Sequence, residues 1–83
     1  MAFTPHEHRE FNEKRKNHLA ANPICAVNKA LGNPDTPATR ILHKKGRKKY
    51  YLDTSTYLSV SKWGDSWVHA NRTKARELGL IDI

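Results

Sequence analysis

Apolar residues are sparse at the start of the chain and gather in short runs further on. From Pro5 to Ala20 only Phe11, Leu19 and Ala20 break a solvated pattern in which Arg9, Lys14, Arg15 and Lys16 alternate with Glu7, Glu10 and Glu13. Thr4 ahead of Pro5, with Glu7 three residues on, is a helix-start signature: Thr4 caps, Pro5 needs no backbone donor and Glu7 closes the capping box. A helix over residues 5–22 is predicted, with one narrow stripe to pack. Asn22-Pro23 ends it, because proline pushes the preceding residue out of the α region. Gly32-Asn33-Pro34-Asp35-Thr36-Pro37 is dense in turn formers and reads as a loop.

The β-branched and aromatic runs Thr39–His43 and Lys49–Leu52 flank Lys44-Lys45-Gly46-Arg47-Lys48, a pattern that predicts a hairpin turning at Gly46. Trp63, Trp67 and Ala70 then recur at helical spacing. Asn71 is placed to cap a last short helix over 72–79, which Leu78-Gly79 closes. The expected architecture is α+β in a single domain, residues 1–83. An N-terminal helix leads to a hairpin-plus-helix core over 38–71 and a C-terminal helix. No internal repeat or low-complexity tract is present.

Composition narrows the chemistry. The chain has 83 residues, 37% of them hydrophobic, and a domain of this size buries only about 60–65% of its unfolded surface. That excludes a large interdomain catalytic cleft and implies a thin core. The single cysteine, Cys25, cannot form an internal disulfide. The net charge of +7 and a pI near 9.9 point to a polyanionic partner. No apolar run is long enough for a membrane span, and Met1–His6 lacks the build of a signal peptide, so a soluble cytoplasmic protein without a membrane partner is expected.

The positive charge is concentrated. Lys44, Lys45, Arg47, Lys48 and Lys49 put five cations in six residues around Gly46, a hairpin tip suited to phosphate contact rather than base readout. If all five met phosphates, log affinity would fall with log salt at a slope of roughly −4 to −5. Arg40 and Arg72 extend that surface, and Trp63 is a candidate stacking group. His6, His8 and His18 are expected to be solvated along the first helix.

Taken together, NPICAVN (22–28), ATRILHKKGR (38–47) and LDTSTYLSVSKWGDSWVHAN (52–71) resemble the compact HNH endonuclease domains common in phage genomes. The closing ARELGLI (75–81) is similar to that family's tail. The resemblance implies a His-Me finger, the ββα-metal unit, in which four cysteines commonly hold a structural zinc. Those positions here are Cys25, Asn28, Ser61 and Gly64, and one thiolate cannot make a tetrahedral zinc site. No structural zinc is expected. Cys25 and Ile24 should instead pack near Val60 and Trp63.

The same resemblance assigns His43 as general base on a water attacking phosphorus, with Asp65 and His69 as ligands for Mg, Mn or Ni. On a helix those two lie one turn apart on one face, and they could equally form a simple surface pair. Leu42 stands where a further ligand is usual, and Tyr57 stands near the family's middle Asn. Three functional readings follow. The first is a basic, phage-encoded DNA-binding protein on a degenerate HNH scaffold. The second is a metal-dependent nickase or endonuclease hydrolysing phosphodiester bonds. The third is an inhibitor of an acidic host protein. In each, the expected location is the host cytoplasm.

Overall fold

The computed structural model describes residues 4–82, the side chain of Arg47 excepted. Helix α1 (Pro5–Ala21) begins on the capping box read from Thr4 and Glu7, with the Glu7 amide donating to Thr4 Oγ1 at 3.2 Å. None of its residues is fully buried. After Asn22-Pro23 comes a short helix α2 (Ala26–Ala30). The 32–38 loop is laid back on the segment before it by Cys25 N to Thr36 O and Ala38 N to Pro23 O, both 2.7 Å.

Strand β1 (Arg40–His43) pairs antiparallel with β2 (Tyr57–Val60), matching Leu42 with Leu58 and His43 with Tyr57. Between them lie a helical turn, α3 (Arg47–Tyr50), and a 3-10 turn at Thr54–Thr56. The expected second strand over Lys49–Leu52 is therefore displaced: those residues belong to α3 and the turn after it. Arg and Lys are good helix formers, and they make up three of the four residues of α3. Strand pairing instead falls to Tyr57–Val60. Gly46 bends the chain between β1 and α3 at φ 97°, a conformation that costs other residues roughly 1–2 kcal/mol.

Helices α4 (Lys62–Ala70) and α5 (Arg72–Glu77) complete the mixed α+β fold. Asn71 does not cap α5 with its side chain; its Nδ2 donates instead to Trp67 O at the end of α4, 2.9 Å away. The core joins Cys25, Val27, Leu42, Val60, Val68, Ala75, Leu80 and Ile81. Trp67 packs on it, whereas Trp63 is 51% exposed and Ile24 is also exposed. Ile24 thus does not join Cys25 in the core, because it pairs as an isolated bridge with Pro37 at the surface. Among the described residues no helix is long and apolar enough to cross a membrane.

The tightest approach in the fold is α4 against the α2 entry. A Cβ added to Gly64 would lie 2.8 Å from Cys25 Sγ and 3.0 Å from Val27 Cβ, closer than ordinary packing allows. Gly64→Ala is therefore expected to overpack the core, lowering stability by about 1–3 kcal/mol, or a Tm fall of about 4–8 °C per kcal/mol. Thermal denaturation should also show the Cys25→Ala/Gly64→Ala double variant losing less than the two single losses added. An unchanged Tm for Gly64→Ala would contradict the close approach.

Candidate nucleic-acid interface and cleft

Side chains alternate across a strand, so Leu42 and His43 part company. Leu42 enters the core beside Val60 and Val68. His43 turns to the other face, where α1 lies across the hairpin. There its ring stacks with Phe11, centroids 5.6 Å apart, and meets Tyr57 edge-on at 5.2 Å. Phe11 also stacks on Tyr51 at 4.5 Å. Aromatic pairs of this kind add about 0.5–1.5 kcal/mol each beyond area burial. They hold down a helix with almost no apolar stripe.

A backbone carbonyl orients the histidine. His43 Nε2 donates to Tyr51 O at 3.2 Å, and Tyr57 OH donates to the same oxygen at 2.7 Å. A proton on Nε2 makes Nδ1 the basic nitrogen of the neutral ring. Tyr57 thus helps to steady the chain segment that holds His43.

Two of the histidines expected to be solvated are engaged. His8 Nδ1 lies 3.2 Å from Tyr51 OH, and His18 is half-buried, edge-on to Tyr57 with centroids 5.7 Å apart. With so few apolar residues on α1, imidazoles serve as its packing groups. His6, by contrast, is exposed and lies 3.9 Å from the Glu10 carboxylate.

Asp65 and His69 do meet, His69 Nε2 to Asp65 Oδ1 at 3.2 Å. Arg40 reaches the other carboxylate oxygen, also at 3.2 Å. The Asp65 carboxylate is therefore already neutralised by a guanidinium. Among the described residues no three His, Cys, Asp or Glu side chains gather round one point. His43 is not brought into a ligand cluster with Asp65 and His69.

All three nevertheless line one open cleft of about 490 Å³. Phe11, Ile41, Leu42, Val68 and Ile81 supply its apolar surface, while Arg15, Arg40 and Arg72 bring positive charge. Gly46, also at its edge, connects it to the basic tip. At that tip Lys45, Lys48 and Lys49 are exposed and Lys44 is half-buried; the Arg47 side chain lies outside the described residues. Lys45 and Lys49 flank the Tyr50 ring, their Nζ atoms 6.0 and 5.7 Å from its centroid. Arg15 carries no signal in the sequence, where it is one cation among several on a solvated helix; only the docking of α1 brings it to the cleft.

Cys25, Asn28, Ser61 and Gly64 converge. Ser61 caps α4 by accepting from Gly64 N at 3.0 Å and donates to Asn28 Oδ1 at 3.2 Å, joining α4 to α2. Cys25 Sγ completes the group against Gly64. Burial pushes the Cys25 thiol up, yet hydrogen bonding from the Ser61 side chain and from the backbone of Asn28, Ser61 and Val27 outweighs it. The net shift is downward.

Comparisons with protein-family models, with curated proteins and with solved structures find no match to this chain.

The docking of α1 is pH-sensitive. Burial, and then the nearby charge of Lys44, hold the His18 pKa below its ordinary 6.5. Protonation is thus harder in the folded state than in the unfolded one. The stabilising neutral form is fully present above about 6.5, and stability falls as pH drops through that value toward the lower folded pKa. Denaturant titrations at pH 7 and pH 5 should show weaker folding at pH 5, with a smaller difference in His18→Gln. Equal differences in the two proteins would contradict this assignment.

Proposed function

We propose that the protein binds nucleic acid through the phosphate backbone, on a degenerate HNH-type scaffold whose metal clasp has been replaced by packing. The supporting observation is the basic tip: four described lysines, Lys44, Lys45, Lys48 and Lys49, arranged around a glycine turn that borders the cleft. Lysines are point charges on flexible stems that follow phosphates without reading bases. Lys45 lies 3.9 Å from the Asp82 carboxylate, but a pair this exposed is worth at most about 1 kcal/mol and yields readily to a phosphate.

The scaffold half of the proposal draws on the meeting of Cys25, Asn28, Ser61 and Gly64. They form two close pairs, 25 with 28 and 61 with 64, that lie far apart in sequence, and the resemblance makes them one site. A metal-dependent nickase is the second reading, favoured by the orientation of His43 through Tyr51 O and by its sharing a cleft with Asp65 and His69. Two features weigh against it. Arg40 already neutralises Asp65, and Leu42 puts hydrocarbon where an ion would need oxygen or nitrogen.

Supercoiled plasmid incubated with the protein and millimolar Mg or Mn separates the readings. The expected result is retardation without nicking, largely independent of DNA sequence. Lys44→Gln/Lys48→Gln/Lys49→Gln should weaken binding by at least tenfold and make the salt slope shallower by about 2.7, at roughly 0.9 for each phosphate no longer neutralised. No retardation at low salt, or an unaffected triple variant, would overturn the proposal. Metal-dependent nicking that disappears in a folded His43→Ala protein would establish the second reading instead.

A further inference from the structure

The cleft beside the basic tip has a different character from the tip itself. The tip carries flexible ammonium groups; the cleft is lined by guanidinium groups and hydrocarbon. Arg15 comes from α1, Arg40 from β1 and Arg72 from the start of α5, so three separate elements bring an arginine to the lining of one cleft. Among the described residues Asp65 is the one carboxylate lining it, and it is held by Arg40. Three guanidinium charges less one carboxylate leave an excess of two positive charges.

A phosphodiester in a continuous strand carries one negative charge. A terminal phosphomonoester carries about 1.5 to 2 at neutral pH and exposes three acceptor oxygens, which suit several guanidinium forks at once. The charge in the cleft therefore matches the end of a strand better than its middle. Phe11 and Ile41, both half-buried, supply apolar surface for the base attached to that phosphate. The volume, about 490 Å³, lies within the range of small-ligand sites.

The geometry points to a phosphomonoester site in this cleft: a nucleotide carrying a terminal phosphate binds with the phosphate among Arg15, Arg40 and Arg72 and the base on the apolar surface. It deepens the nucleic-acid reading and rests on it for the source of the nucleotide. The strand lies along the lysines of the tip, passes Gly46 and ends in the cleft. The same chemistry is offered by a free nucleoside monophosphate, and the experiment separates the two sources.

Fluorescence anisotropy of the full chain with two single-stranded oligonucleotides of one sequence, one ending in a 5′-phosphate and one in a 5′-hydroxyl, tests the proposal. A nucleoside 5′-monophosphate, its nucleoside and inorganic phosphate serve as competitors. The phosphorylated strand is expected to bind at least about tenfold tighter, the scale of one or two charge-assisted hydrogen bonds. Arg15→Gln, an exposed change on α1, should weaken the phosphorylated strand far more than the 5′-hydroxyl strand and so abolish that preference. The lysine triple variant should weaken both strands alike and keep the preference.

Equal binding of the two strands, unchanged by Arg15→Gln, would overturn the cleft site and leave the backbone reading standing. Binding of the monophosphate, abolished in Arg15→Gln, with neither strand bound would sustain the cleft site and overturn the nucleic-acid reading. Failure of every probe would overturn both.

Discussion

The approach of Gly64 to Cys25 governs much of what this small fold can do. With no side chain on Gly64, the first turn of α4 settles against Cys25 Sγ and Val27, and Ser61 can then cap α4 while hydrogen-bonding Asn28 of α2. Two helices distant in sequence are joined by one serine and one missing methyl group. Because α4 also carries Asp65, Val68 and His69, that joint sets one side of the cleft. A chain with so few apolar residues cannot obtain this rigidity from core volume alone, and close packing of small groups takes its place.

The other side of the cleft is held differently. Helix α1 has no fully buried residue and rests on rings: Phe11 with Tyr51 and His43, and His18 with Tyr57. This interface is polar-edged and responsive to protonation, whereas the α2–α4 joint is buried. The two walls should differ in mobility accordingly, since elements with few buried apolar contacts open at lower free energy. Arg15 belongs to the looser wall and Arg40 to the firmer one.

Local chemistry is readable from the sequence and tertiary arrangement much less so. The Thr4–Glu7 capping box, the break at Asn22-Pro23 and the helix containing Trp63 and Trp67 each depend on a few neighbouring residues, and each lies where its pattern places it; Gly46 bends the chain as expected but into α3 rather than into a returning strand. The second strand falls later than its pattern suggests: Lys49–Leu52 has two tyrosines and looks β-like, while the helix-forming run Arg47–Lys49 prevails locally. Tyr51 then turns inward, and its carbonyl accepts from both His43 and Tyr57. His8 reads as solvated and is exposed, though it touches Tyr51 OH; His18 reads as solvated because imidazole is polar, yet on a helix lacking a leucine stripe its ring is a packing group against Tyr57. Arg40 on Asp65 joins residues 25 positions apart, a pairing that no spacing rule reveals.

Residues 25, 28, 61 and 64 meet at one place, Gly64 against Cys25 Sγ and Ser61 Oγ on Asn28 Oδ1, and in the function proposed above direct packing there stands in for a metal. Zinc titration of the reduced Asn28→Cys/Ser61→Cys/Gly64→Cys variant tests this most directly, because four thiolates bind zinc tightly only when they can surround it at about 2.3 Å. Uptake of one zinc per chain is expected, with all four thiols protected from alkylation and a higher Tm than the metal-free variant. A folded variant that takes up no zinc and keeps four reactive thiols would contradict it.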